Sequence, residues 1–258
     1  MDVEPQLTSG DRCSNGKKHV KNKYTIKAVA AAAFVLAACQ VANATLTINS
    51  ALGGNAPLGA SKFNFEDIAL GTGGGVASSV IGPSASMTVS FIVDGQTLMG
   101  AVSGVAAPPY LTPLNGVGFG AGGGNQVSGV DATHYLTTGT GVGRAILTFA
   151  DTYYLGLLWG SIDDYNSLEF YSGATLVGTV TGLDVTATPT GDQGANGTRY
   201  VNIFSTVAFD RVEARSDKAY AFEFDNVAVP EPTTIIAGAL LLLPFGASTL
   251  RMLRRRTA

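Results

Sequence analysis

One stretch gathers more functional side chains than any other. The run Trp159-Gly160-Ser161-Ile162-Asp163-Asp164-Tyr165-Asn166-Ser167-Leu168-Glu169-Phe170-Tyr171 sets the chain's single tryptophan beside acids, an amide and two tyrosines. Carbohydrate sites stack an aromatic ring on the apolar face of a sugar and surround it with carboxylate and amide hydrogen bonds. Trp159, Asp163, Tyr165 and Asn166 could supply such a set. The same residues also read as plain structure: Trp159 ends a buried strand after Leu157 and Leu158, and Asp163 to Asn166 form an inter-strand turn, since Asp and Asn are common turn residues. Asp163, Asp164 and Asn166 place three oxygens within four positions, which suits a hard cation such as calcium, although the spacing is not that of an EF-hand. Glu223 and Asp225-Asn226 add further oxygens on a strand.

Other chemistries find little support. His134, in the run Asp131-Ala132-Thr133-His134-Tyr135, has no second histidine near it to build a zinc site, and its place in a polar loop predicts a solvated ring. No G-x-S-x-G elbow exists for a serine nucleophile. Carboxylate pairs of the kind that hydrolyse glycosides arise on any acidic surface. Gly118-Phe119-Gly120-Ala121-Gly122-Gly123 matches G-x-G-x-x-G, but no helix pattern follows to present its N-terminus to a pyrophosphate. The expectation is a protein that is not an enzyme. It has no required cofactor, and calcium is the one ion worth testing.

The elements that would position these residues have a period of two. Tyr220, Phe222 and Phe224 alternate with Ala221, Glu223 and Asp225, as in a strand with one buried and one wet face. Leu168 and Phe170 lead through Ser172-Gly173 into Thr175 to Val180, a hairpin. Met87 to Val93 and Gln96 to Val102 flank Asp94-Gly95, a pair that accepts a type I′ turn, and predict a second hairpin. Further strands are expected at 45–49, 63–69, 145–149, 153–159, 200–204 and 209–215. Gly71 to Gly75 and Gly116 to Gly124 read as loops. Short strands without amphipathic helices predict an all-β fold, an antiparallel β-sandwich or jelly roll, as a single twisted sheet could not bury both sets of apolar faces. From residue 45 to 229 fifteen acids outnumber six bases, which leaves nine negative charges and argues against nucleic acid as a partner.

The two ends carry a different message. Lys17, Lys18, Lys21, Lys23 and Lys27 precede the apolar run Ala28 to Ala38, and Ala42-Asn43-Ala44 follows with small residues at alternate positions. That order predicts a secretory signal peptide over residues 1–44, cut after Ala44. An uncleaved anchor is the rival, but the run is shorter than the ~20 residues that span a bilayer. Leu36-Ala37-Ala38-Cys39 resembles a lipobox, whose use would instead lipidate Cys39. Both cysteines, Cys13 and Cys39, lie in the leader, so a chain starting at Thr45 has no thiol chemistry.

At the other end Val229-Pro230-Glu231-Pro232 is followed by the apolar run Ile235 to Leu250 and by Arg251, Arg254, Arg255 and Arg256. The arginines assign that flank to the cytoplasm, and a transmembrane helix of roughly 25 Å is just long enough for a transient anchor. The three elements, in this order over the last thirty or so residues, resemble the PEP-CTERM sorting signal of bacteria that make extracellular polysaccharide. The resemblance implies that an exosortase, a membrane cysteine protease, cuts near Pro230-Glu231-Pro232 and can transfer the body to a surface acceptor such as exopolysaccharide. A permanent C-terminal anchor would share the helix and the arginines. The Trp159 to Tyr171 stretch is similar to one found in a subset of PEP-CTERM surface proteins, and that likeness brings no activity with it. The expected organisation is therefore a leader (1–44), a β ectodomain (45–229) and a sorting signal (230–258). The expected role is an exported surface or matrix protein, and its alternatives are a carbohydrate-binding module and, more remotely, a glycoside hydrolase.

Overall fold

The computed structural model describes residues 44–82 and 84–230. The signal-peptide segment up to Asn43 lies outside them, with Ala42, Cys13 and Cys39. So do Glu231, Pro232, the expected membrane span and Arg251, Arg254, Arg255 and Arg256. Among the described residues no helix is long and apolar enough to cross a membrane.

The body is all-β and antiparallel. Among the described residues its strands are β1 (Leu46–Ala51), β2 (Ala60–Phe63), β3 (Gly75–Ser78), β4 (Ser86–Ile92), β5 (Gln96–Met99), β6 (Tyr110–Leu111), β7 (Gly129–Val130), β8 (His134–Thr137), β9 (Arg144–Gly160), β10 (Asn166–Ser172), β11 (Thr175–Thr181), β12 (Arg199–Ser216) and β13 (Glu223–Pro230). One short helix, α1 (Gly182–Val185), is closed by a capping box between Thr181 and Asp184. Eleven strands share one hydrogen-bonded sheet, and β6 and β7 form a separate pair.

Two pairs of expected strands are each a single long strand. β9 joins 145–149 to 153–159, and β12 joins 200–204 to 209–215. The two strands pair along their length, but the register slips between Phe204 and Arg211. There Ser205 Oγ donates to Val207 O at 2.6 Å and Thr152 Oγ1 donates to Tyr154 O at 3.2 Å, so side chains satisfy backbone groups that leave the ladder. On one side of the slip β9 and β12 are flanked by β4 and β10; on the other they are flanked by β13 and β1. The ribbon thus divides the sheet into two halves. Leu147, Phe170 and Val212 from the first and Leu155, Trp159, Val201 and Phe224 from the second share one apolar core.

The hairpin expected around Asp94-Gly95 does not form. β4 pairs with β3 and β9, whereas β5 pairs with β8, so this turn is a corner between halves. Asp94 is consumed by Thr140, whose N lies 3.1 Å from each carboxylate oxygen and whose Oγ1 donates to Oδ2 at 2.8 Å. The expected Ser172-Gly173 hairpin is present as β10–β11. The segment 63–69 is not the expected strand: β2 ends at Phe63, Phe65 takes a φ of +57°, and Glu66 and Asp67 form a turn.

In the second half, the end of β9 and nearly all of β13 are buried on both faces. Every residue from Tyr154 to Gly160 is buried. Odd positions meet the main core; Tyr154 and Leu158 join Tyr200, Phe119, Leu111 and Ala228 in a second cluster. The glycine-rich segment supplies this cover. Phe119 is fully enclosed, Asn64 Nδ2 donates to its carbonyl at 2.7 Å, and Lys62 Nζ donates to Val117 O at 2.7 Å while sitting 5.0 Å from the centre of the Phe119 ring. Glu223 and Asp225, expected on a wet face, are consequently buried beneath loops. Within the glycine-rich run the only regular structure is a 3-10 turn at Ala121–Gly123, so the G-x-G-x-x-G match opens no α-helix.

Candidate functional site

Trp159 cannot stack on a ligand. It is wholly buried on β9, with its ring stacked on Phe222 at a centroid distance of 4.2 Å, which removes the aromatic centre of the expected sugar site. Asn166 is equally enclosed and turns its Nδ2 to the carbonyls of Ser161 and Ala221, each at 3.5 Å. The expected calcium set does not converge either. Asp163 Oδ2 accepts from Tyr165 Oη at 2.7 Å, and Asp164 faces Lys218 Nζ at 3.6 Å, while Asn166 points inward. Asp163 to Asn166 is a turn, closed by Asn166 N donating to Asp163 O at 3.3 Å.

The other two members of the set, Asp163 and Tyr165, line a cleft of about 490 Å³ with Ser161, Gln193, Tyr220 and Glu223. Residues 101–107 form one wall and Thr190, Gly191 and Gln193 another. The second wall is held by backbone bonds: Gly191 N donates to Ile162 O at 2.9 Å, and Ile162 N donates to Gly197 O at 3.1 Å. Tyr220 is 47% exposed and is the aromatic side chain most open to a ligand here. Its alternation with Phe222 and Phe224 suggested a core position; it falls instead before β13 begins, where the chain has left the sheet.

Glu223 forms the floor. It lies on β13 between Gly160 of β9 and Thr137 of β8. Burial pushes its carboxyl up to about 7, with Asp163 adding to the rise, while bonds from Ser161 Oγ and from Ala107 N at 3.1 Å oppose it. Ser161 reaches the carboxylate because it adopts a φ of +35°, unusual for a residue with a β-carbon. Tyr165 is raised above the ordinary phenol range by burial and by its bond to Asp163, so its hydroxyl stays protonated and its ring remains a neutral surface. The cleft can therefore offer hydrogen-bond donors and acceptors beside an open ring. His134 is not a free loop residue: it starts β8, its N donates to Glu66 Oε1 at 2.6 Å, and its Nδ1 lies 3.0 Å from Ile68 O.

The predicted processing sites flank the sheet directly. Ala44 stands two residues before β1, and Thr45 N donates to Thr206 Oγ1 at 2.9 Å. Pro230 is the last residue of β13, opposite Ala60 of β2. Among the described residues no three His, Cys, Asp or Glu side chains group as metal ligands. The chain matches no known family, no curated protein and no solved structure.

Proposed function

We propose that this chain is an exported, non-enzymatic bacterial surface or matrix protein whose folded body binds a polyhydroxylated ligand, exopolysaccharide, in the cleft floored by Glu223. In this reading the two halves of the sheet are the layers of a β-sandwich. The leader over residues 1–44 directs export, and an exosortase acts at Pro230-Glu231-Pro232 after the C-terminal helix and Arg251, Arg254, Arg255 and Arg256 have stalled the chain in the membrane.

The observation that carries the binding role is the cleft itself. Tyr220 offers an exposed ring, and Asp163 and Gln193 stand nearby with polar groups, a combination suited to a sugar's apolar face and hydroxyls. The acidic body favours an uncharged or cation-bridged glycan over nucleic acid. Affinity electrophoresis through the producing organism's own polysaccharide tests the reading. Tyr220→Ala and Asp163→Ala should each abolish most of the retardation of the wild-type chain. Equal migration of all three in gels with and without polysaccharide would remove the cleft from consideration.

The hydrolase alternative draws support from Glu223, whose carboxyl is near neutrality beside Asp163, the arrangement a general acid requires. Both Glu223 oxygens, however, already accept bonds from the Ala107 backbone and Ser161. We assign it to holding the 101–107 wall. Reducing sugar released from the polysaccharide by wild-type protein but not by Glu223→Gln would reverse that assignment.

A further inference from the structure

Further along β13 from Glu223, two buried carboxylates lie together without a basic partner among the described residues. Asp131 precedes β8 and Asp225 is on β13; they are 1% and 0% exposed, and Thr133 sits between their carboxyl groups. No basic side chain among the described residues forms an ion pair with either. Thr133 serves part of the pair: its N donates to Asp131 Oδ1 at 2.8 Å, and its Oγ1, also bonded to that oxygen, lies 3.5 Å from Asp225 Oδ2. Asp131 Oδ2 and Asp225 Oδ1 are buried with no donor.

A third oxygen makes this more than an acidic cluster. Asn226 is fully buried and its Oδ1 also has no donor. The amide cannot simply be turned round, because Nδ2 already donates to Asn115 O at 3.2 Å and to Gln126 Oε1 at 2.5 Å. Gln126 Nε2 in turn donates to Thr133 Oγ1 at 3.0 Å, which ties Asn226 into the same enclosure as the two acids. Consecutive residues 225 and 226 share a face because β13 bulges there. Its register with β9 slips between Asp225 and Ala228, and Asn226 takes a φ of +52°.

Three buried oxygens without donors, two of them on carboxylates, leave a large desolvation cost unanswered. A proton shared by the acids would serve two of the oxygens at most and leave the amide orphaned. A hard cation would serve all three. The set is wholly oxygen, and a cavity of about 360 Å³ lined by Gln126, Ala132 and Thr133 adjoins it, with room for the waters that complete a flexible coordination shell. We propose that Asp131, Asp225 and Asn226 bind one calcium ion, which clamps the loop over residues 112–133 onto β13.

The test is calcium titration calorimetry on the full-length chain stripped with EDTA, paired with melting curves. The wild type should bind one ion per chain and melt higher by about 5 °C or more at a hundredfold excess over Kd. Asp225→Asn and Asp131→Asn should each weaken binding by at least about tenfold, while Asp163→Asn leaves it unchanged. Asn226→Asp guards against variants that merely misfold. With a third carboxylate it should bind calcium more tightly than wild type yet melt lower in EDTA. A wild-type chain that takes up no calcium and melts alike with and without EDTA would overturn the proposal. Binding left intact in both aspartate variants would do the same.

Discussion

At the scale of single residues, the distinction between Trp159 and Glu223 carries most of the meaning. Trp159 has a functional composition around it but a structural position, so Trp159→Ala should cost about 3–5 kcal/mol in chemical denaturation. Trp159→Phe should cost clearly less, because the indole Nε1 is buried without an acceptor and the phenyl ring removes that orphan donor. Glu223 has the opposite character: it looked like a wet-face acid and is a buried one. Its carboxyl is raised from an ordinary 4.5 to about 7, so the folded state holds the proton more tightly than the unfolded state does. The stability this confers is complete below about pH 4.5 and is lost as the pH rises through 7. Asp163, Tyr165 and Tyr135 all face this group, and none supplies a positive charge to offset the loss. Melting temperature measured in EDTA should fall between pH 5 and 9, and Glu223→Gln should flatten the part of that fall centred near 7. A profile of the same shape in both proteins would contradict the assignment.

At the scale of elements, period-two patterning was legible where one face of a strand meets the core. β1, β4, and the β10–β11 hairpin announce themselves this way. Strand partners were not legible, because partner choice depends on contacts far apart in sequence. The Asp94-Gly95 pair illustrates this, since its local chemistry allows a hairpin while Thr140 and the backbone of Arg144 hold it as a corner. A β-carbon on Gly95 would sit 2.2 Å from Arg144 O. Gly95→Ala should therefore destabilise the fold by about 1–3 kcal/mol by displacing the start of β9, as denaturant unfolding would report. The candidate cleft was half legible. Asp163 and Tyr165 stood out by composition, but Tyr220 and Gln193 reach the site only through loops, and Glu223 becomes its floor only because loops wall in that face of β13. The same covering loops hid the burial of Asp131, Asp225 and Asn226, because alternation predicts a face toward solvent and says nothing of what later lies over it.

At the scale of the whole molecule, the body and its flanking segments divide the work. Residues 225–230 contribute Val227 and Val229 to the core and pair with both β2 and β9. A chain ending at Pro230 should fold, and one ending at Phe224 should not, as circular dichroism and protease resistance of the two would show. A cut at Pro230-Glu231-Pro232 would thus leave the last strand intact, with no long spacer between sheet and scissile region. Export of a folded β body that is then cut free at the end of β13 is tested most directly by mass spectrometry of the protein from cell surface and culture medium. The expected chain starts at Thr45 and ends close to Pro230, with any added C-terminal mass identifying the acceptor. Peptides reaching through Leu250 in the surface-exposed protein would contradict it, and a lipidated Cys39 would replace the expected leader cleavage with a lipoprotein anchor.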